Sequence, residues 1–179
     1  MGWPNIVSAL RIVLVPVVVA LVLVKTDGSE YGAAAVFVAA GLSDYLDGYL
    51  ARRFATATLT GAWLDPLSDK LLVVATVVAL TAVSRFPIWA AAIIVVREVA
   101  VSVLRAYVGT RRVSMPASVV AKWKTATQIA AIGLYVLPLP SGADTAKLAV
   151  LSVAVAITVY SGLDYFLHLS GRVGAGRDG

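Results

Sequence analysis

Asp44, Asp47, Gly48, Ala51, Arg52, Gly61, Asp65 and Asp69 form the spaced set D-x2-D-G-x2-A-R-x8-G-x3-D-x3-D inside a chain otherwise apolar enough for a lipid bilayer. A carboxylate at the centre of a membrane helix costs about 2.5–3.5 kcal/mol, so such groups persist facing the protein interior, a water-filled cavity or an ion. Four of them facing one another cannot all stay ionised without a counter-charge, which two divalent cations would supply. Carboxylate sites holding two metals clamp the attacking and leaving oxygens of a displacement at phosphorus. The residues alone therefore favour phosphoryl-type chemistry.

Asp44 and Asp47 are three apart and Asp65 and Asp69 four apart, so each pair lies along one face of its helix. A chain reversal centred near residues 56 and 57 sets Asp44 opposite Asp69 and Asp47 opposite Asp65. The deepest would then lie on the order of 15–20 Å from the turn. Gly48 shares the face of Asp44, where a missing side chain lets a ligand approach the backbone, and Gly61 can do the same at the start of the next helix. Arg52, four residues after Gly48, is placed to pair with a phosphate. Taken singly, each glycine is equally well read as a helix-packing residue and Arg52 as a cytoplasmic anchor; the joint spacing favours a site.

The elements that must carry these residues are membrane helices. The 179 residues are 60% hydrophobic and 14% charged, with a mean hydropathy of +0.88, far from an ordinary soluble domain. The expected fold class is an all-α integral membrane protein of six transmembrane helices, at roughly 5–25, 31–54, 61–83, 87–109, 117–138 and 144–168. Spans of about 20 residues consume nearly the whole length, so residues 1–179 are read as a single domain with a mobile Gly-rich tail over 171–179. The first apolar stretch lacks a basic n-region and a clear cleavage site, and more spans follow, so it is read as a retained helix rather than a signal peptide. Breakers separate the spans at Asp27-Gly28-Ser29, Thr56 to Gly61, Ser84 to Pro87, Arg111 to Pro116 and Pro138 to Gly142. Small residues in Gly32-Ala33-Ala34-Ala35 and Ala39-Ala40-Gly41 suit close helix packing.

Six spans put both termini on one side. Arg52, Arg53, Arg111, Arg112, Arg172 and Arg177 lie on that side, with Lys122 and Lys124 near it, against Lys25, Arg85 and Lys147 opposite. The excess of positive charge predicts cytoplasmic termini in a multi-pass protein of the cell membrane, with the aspartates in a cavity near the cytoplasmic face. The net charge of +5 meets no basic stripe with interleaved aromatics, so anionic membrane lipids rather than nucleic acid are the expected partners. No cysteine is present and His168 is the only histidine. Any metal must then be held by oxygen, which favours Mg²⁺, Mn²⁺ or Ca²⁺.

The eight spaced residues reproduce, without a gap, the signature of the CDP-alcohol phosphotransferase family, whose members are similar in having about six transmembrane helices. The resemblance extends to Pro4-Asn5 with Ser8 and Arg11, to Leu64-Asp65-Pro66 with Asp69-Lys70, to Arg97-Glu98 with Leu104-Arg105, and to Ala121-Lys122-Trp123-Lys124-Thr125 with Gln128. This wider set resembles the branch whose acceptor is glycerol 3-phosphate, with one departure at Ala121, where that branch usually carries Gly. The resemblance implies transfer of a phosphatidyl group from CDP-diacylglycerol to sn-glycerol 3-phosphate with release of CMP. It further implies that Asp44, Asp47 and Asp65 bind two divalent ions, Mg²⁺ or Mn²⁺, and that Asp69 binds metal and takes the proton of the attacking hydroxyl. Gly48, Ala51, Arg52 and Gly61 would hold the CDP moiety, and the protein would form a homodimer.

An acceptor carrying its own phosphate needs cations near the site, and Arg105, Lys122 and Lys124 are the candidates. Each lysine alone is equally compatible with snorkelling to the interface, and Arg97 beside Glu98 with a buried ion pair. His168 and the Trp and Tyr residues are read as interfacial. Another acceptor, inositol phosphate or phosphatidylglycerol, is the alternative within the family. An ion or proton transporter is the alternative outside it, disfavoured because all four aspartates lie toward one face and no repeat halves are visible. A purely structural membrane scaffold leaves the cost of the carboxylates unexplained.

Overall fold

The computed structural model describes the backbone of residues 3–24, 26, 28–54, 59–110 and 119–175, and the side chains of 10–24, 26, 28–43, 70–106 and 123–167. Six α-helices occupy these residues: α1 Trp3–Val24, α2 Ser29–Phe54, α3 Leu59–Ala82, α4 Ile88–Thr110, α5 Val119–Val136 and α6 Asp144–Ala175, with a 3₁₀ turn at Ser141–Ala143. No strand occurs among the described residues. The helices lie within two residues of the expected segments except at the end of α6, with Gly28, Ser84 to Pro87 and Pro138 to Gly142 between α-helices as expected, whereas α3 already begins at Leu59, inside the stretch expected to separate it from α2. α6 continues five residues into the Gly-rich tail, since each further residue of a formed helix adds a hydrogen bond without a new nucleation cost. Residues 176–179 lie outside the described residues.

Local chemistry accounts for the ends. Gly28, at φ 90°, turns the chain from α1 into α2, a backbone conformation that needs no Cβ. α3 stops at a paired cap: the Ser84 amide donates to the Thr81 carbonyl (3.0 Å) and the Arg85 amide to the Leu80 carbonyl (2.9 Å). Ser84 takes the left-handed φ of 60° that this cap requires. Arg85 then reaches Glu30 at the start of α2 (2.9 Å), tying two connections together at one end of the bundle. Asp144 opens α6, where a negative charge complements the helix dipole, and pairs with Lys147 (3.2 Å).

α1 packs against both α2 and α3, α5 against α6, and α4 against α3 and α6, while α2 also touches α3 and α5. The core is built from Val18, Phe37, Leu72, Val77, Leu80, Ile94, Ile132 and Leu151, all essentially inaccessible. Of the two runs of small residues, Ala33, Ala34 and Ala40 are buried between helices while Ala35 and Ala39 face outward, and a Cβ on Gly41 would meet Ile129 Cγ2 at 3.2 Å. The outside is unusually apolar, with Val13, Val96, Val103, Val153, Leu163 and Phe166 among its exposed side chains. Among the described residues, Ser141–Leu167 is long and apolar enough to cross a membrane, and Leu10–Val24 and Lys70–Ala82 are shorter apolar stretches.

Candidate active site

Asp44 and Asp47 lie on α2, and Asp65 and Asp69 on α3, in the halves of those helices nearest the junction between them. Counted along each helix axis, Asp44 and Asp69 are both about 15 Å from that junction. The side chains of all four lie outside the described residues, as do those of Arg52, Ala51 and Lys122 and the surroundings of Gly48 and Gly61. Among the described residues there is no group of three or more His, Cys, Asp or Glu that could hold a metal ion.

Contacts deeper in the bundle fix what lies level with the aspartate segments. A Cβ on Gly41 would meet Ile129, and one on Gly133 would meet Phe37 at 4.0 Å, so α2 and α5 run antiparallel in a defined register. Continued along α2, that register sets Asp44 to Asp47 level with residues 123–126, Lys124 among them. Lys70 of α3 donates to Ser102 Oγ of α4 at 2.6 Å, which sets residues 70 and 102 within about one helical turn of the same level. Asp65 to Asp69 then lie level with residues 103–107, Arg105 among them. On the third side, Arg11 of α1 is buried, donating from Nε to the Ala40 carbonyl (3.2 Å) and from Nη2 to Ser43 Oγ (3.4 Å), one residue before Asp44. α1 is thereby fastened to α2 at the depth of the first carboxylate pair.

The three acceptor candidates have different surroundings. Arg105 is exposed, with its guanidinium 5.9 Å from the centroid of the Tyr165 ring, a favourable cation–π placement. Lys124 is buried and pairs with Glu98 Oε1; it does not snorkel outward. Glu98 also meets Arg97 Nη1 at 3.2 Å, the ion pair that adjacency suggested. Arg97 Nη2 donates to Ser161 Oγ of α6 (2.7 Å), and Gln128 Nε2 of α5 donates to Thr158 Oγ1 of α6 (2.9 Å). Polar side chains of α3, α4, α5 and α6 thus converge in the interior. Sequence reasoning did not assign roles to Ser102, Gln128, Thr158 or Ser161. The available signal was weak, because a helical Ser or Thr can satisfy its hydroxyl on the carbonyl four residues earlier, as Thr158 does on Ala154 (2.7 Å).

A concavity of about 490 Å³ opens between α4 and α6 and is lined by Ile93, Val96, Ala100, Leu163 and Phe166 around the Arg97 stem. Its walls are apolar and carry no chemistry of their own.

The architecture defines a class: an all-helical bundle with a membrane-compatible exterior, an Asp pair on each of two touching helices, and buried cations at their level. Comparison with known proteins gives the family. A profile of the CDP-alcohol phosphatidyltransferase family matches residues 1–160. A probable phosphatidylglycerophosphate synthase of Mycobacterium tuberculosis is 38% identical over 178 residues, covering 97% of this chain and 84% of the relative. A CDP-diacylglycerol–glycerol-3-phosphate 3-phosphatidyltransferase of Pseudomonas fluorescens is 35% identical over 173 residues, covering 92% of this chain and 88% of the relative. The enzyme of that name from Escherichia coli is 32% identical over 168 residues, covering 90% and 91%. The chain belongs to the CDP-alcohol phosphatidyltransferase family, a membrane-bound family that generally uses divalent metal ions.

Proposed function

We propose that this protein transfers the phosphatidyl group of CDP-diacylglycerol to sn-glycerol 3-phosphate, giving phosphatidylglycerophosphate and CMP. The observation that supports this reading is that the helix segments bearing the two aspartate pairs run level with those bearing Lys124 and Arg105. The names of relatives matching 84% to 91% of their own length support the choice of substrates.

In this reading the six helices are six spans of a single domain, with both termini cytoplasmic and the reaction layer on the cytoplasmic side. The exposed apolar exterior and the uneven distribution of Lys and Arg support that orientation. Asp44, Asp47, Asp65 and Asp69 fit hard divalent cations by donor type, being all oxygen and lying on helices that touch. Two such ions, Mg²⁺ or Mn²⁺, supply charge neutralisation at the pyrophosphate when bound. Gly48 and Gly61 let the cytidine diphosphate lie close to the helix backbones, with Ala51 beside it and Arg52 pairing with its phosphate. Arg105, Lys122 and Lys124 hold the phosphate of the acceptor. Asp69 accepts the proton of the attacking hydroxyl as its oxygen bonds to the phosphatidyl phosphorus. The bond from that phosphorus to the CMP oxygen breaks, and CMP leaves. A homodimer completes the reading.

The test is an acceptor panel with purified enzyme and CDP-diacylglycerol, run with and without chelator. CMP release with glycerol 3-phosphate, abolished by EDTA and restored by Mg²⁺ or Mn²⁺, is the expected result. Release with inositol phosphate or phosphatidylglycerol but not with glycerol 3-phosphate overturns the acceptor; release undiminished by chelation overturns the metal.

A further inference from the structure

The segment of α4 from Arg97 to Ser102 is the polar junction of four helices. Glu98 turns its carboxylate to Lys124 of α5 and to Arg97, while Arg97 reaches Ser161 of α6. The Glu98 carbonyl accepts from Ser102 Oγ, and the same oxygen of Ser102 accepts from Lys70 of α3 (2.6 Å). Lys70 directly follows Asp69 in the chain. Residue 98 is therefore connected, by its side chain and by its backbone, to lysines on the two helices that flank the reaction layer.

Stability alone gives a weak reason for such a cluster. Taking a carboxylate and two cations out of water costs several kcal/mol per ion, and replacing buried ion pairs by packed apolar residues is often neutral or stabilising. A lysine five residues inside a helix end would also satisfy its ammonium by extending to the interface. Lys124 turns inward instead and pairs with the Glu98 carboxylate of α4. An ammonium has three donors, so a carboxylate that holds one of them sets the position and direction of the whole group.

We infer that Glu98 is a positioning residue for acceptor recognition, holding the Lys124 ammonium in the layer of Asp44 and Asp47. This rests on the assignment of Lys124 to the acceptor phosphate. Two alternatives differ in sign. A counter-charge that merely neutralises Lys124 would, once removed, leave more positive charge for a dianionic acceptor and lower its KM. A structural residue would change both substrates together.

The test uses full-length wild type, E98Q, E98D, K124M and the double variant E98Q/K124M in nanodiscs, varying CDP-diacylglycerol and glycerol 3-phosphate independently. E98Q raises the KM for glycerol 3-phosphate about tenfold, with the KM for CDP-diacylglycerol held within about twofold. E98D keeps the charge but shortens the reach and gives an intermediate acceptor KM, which preserves the test if E98Q fails to fold. Adding E98Q to K124M changes the acceptor KM by less than about twofold, since the carboxylate acts through the lysine. An acceptor KM in E98Q that is unchanged or lowered overturns the proposal. So do a wild-type acceptor KM in E98D, parallel shifts for both substrates, and a full E98Q effect in the K124M background. K124M with an unaltered acceptor KM removes the lysine's assignment and this inference with it, while leaving the reaction standing; a wild type inactive with glycerol 3-phosphate removes the reaction itself.

Discussion

In the proposed reaction Asp69 carries two demands on one side chain: to stay ionised among like charges and to reach the proton of the nucleophile. Replacing it by Asn keeps size and shape while removing the basic oxygen. Asp69→Asn is expected to lower kcat for CMP release by about 10²–10⁴-fold, the usual range for loss of a general base, with the detergent melting temperature maintained. Undiminished turnover would reassign the proton. Such residue types and spacings were legible without coordinates, because a helix turns at a known period and carboxylates in lipid have few uses. The environment of Lys124 was not legible. Its partner Glu98 is remote in the chain, and their meeting depends on how α4 and α5 pack, so the sequence left acceptor recognition and snorkelling equally open and gave no sign of this pair. Arg11 is a similar case: it was visible as part of a motif, but its bonds to Ala40 and Ser43 arise only when α1 lies along α2.

At the scale of the helices, α1 is the element against which the two aspartate-bearing helices are set, since it packs on both α2 and α3. The direct reversal expected between α2 and α3 accounts for their order but not for this shared support. Helix boundaries were readable from Gly, Pro and charged breakers; neighbour relations were not, because every helix offers more than one apolar face. The α2–α5 contact gives the clearest dependence of site on packing. Gly41 leaves room for Ile129 three residues before Asp44, and a Cβ there would sit 3.2 Å from Cγ2 and 3.3 Å from Cδ1 of that side chain. Gly41→Leu should overpack this contact at a cost of about 1–3 kcal/mol, lowering the melting temperature and raising the acceptor KM as Lys124 moves away from the aspartate layer. Ile129→Ala in the same chain should restore part of both. A Gly41→Leu enzyme with wild-type stability and kinetics would show that α2 and α5 are not tightly coupled.

For the whole molecule, chemistry and orientation are a single question, because a water-soluble acceptor and a lipid-borne donor must reach the same layer from one side. In the proposed topology an even number of spans returns the chain to its starting side, and the excess of Lys and Arg on that side predicts that it faces the cytoplasm. The absence of cysteine from all 179 residues makes this measurable without a background. Gly142→Cys sits in the turn before α6, where an added side chain meets nothing within 4 Å, and Arg177→Cys lies in the C-terminal tail. In intact cells a membrane-impermeant maleimide should label Gly142→Cys, whereas Arg177→Cys should react only after lysis. The reverse pattern would put the aspartate layer outside, away from cytoplasmic CDP-diacylglycerol chemistry. Labelling of both from outside would mean that α6 does not cross, even though Ser141–Leu167 has the length and hydropathy to do so.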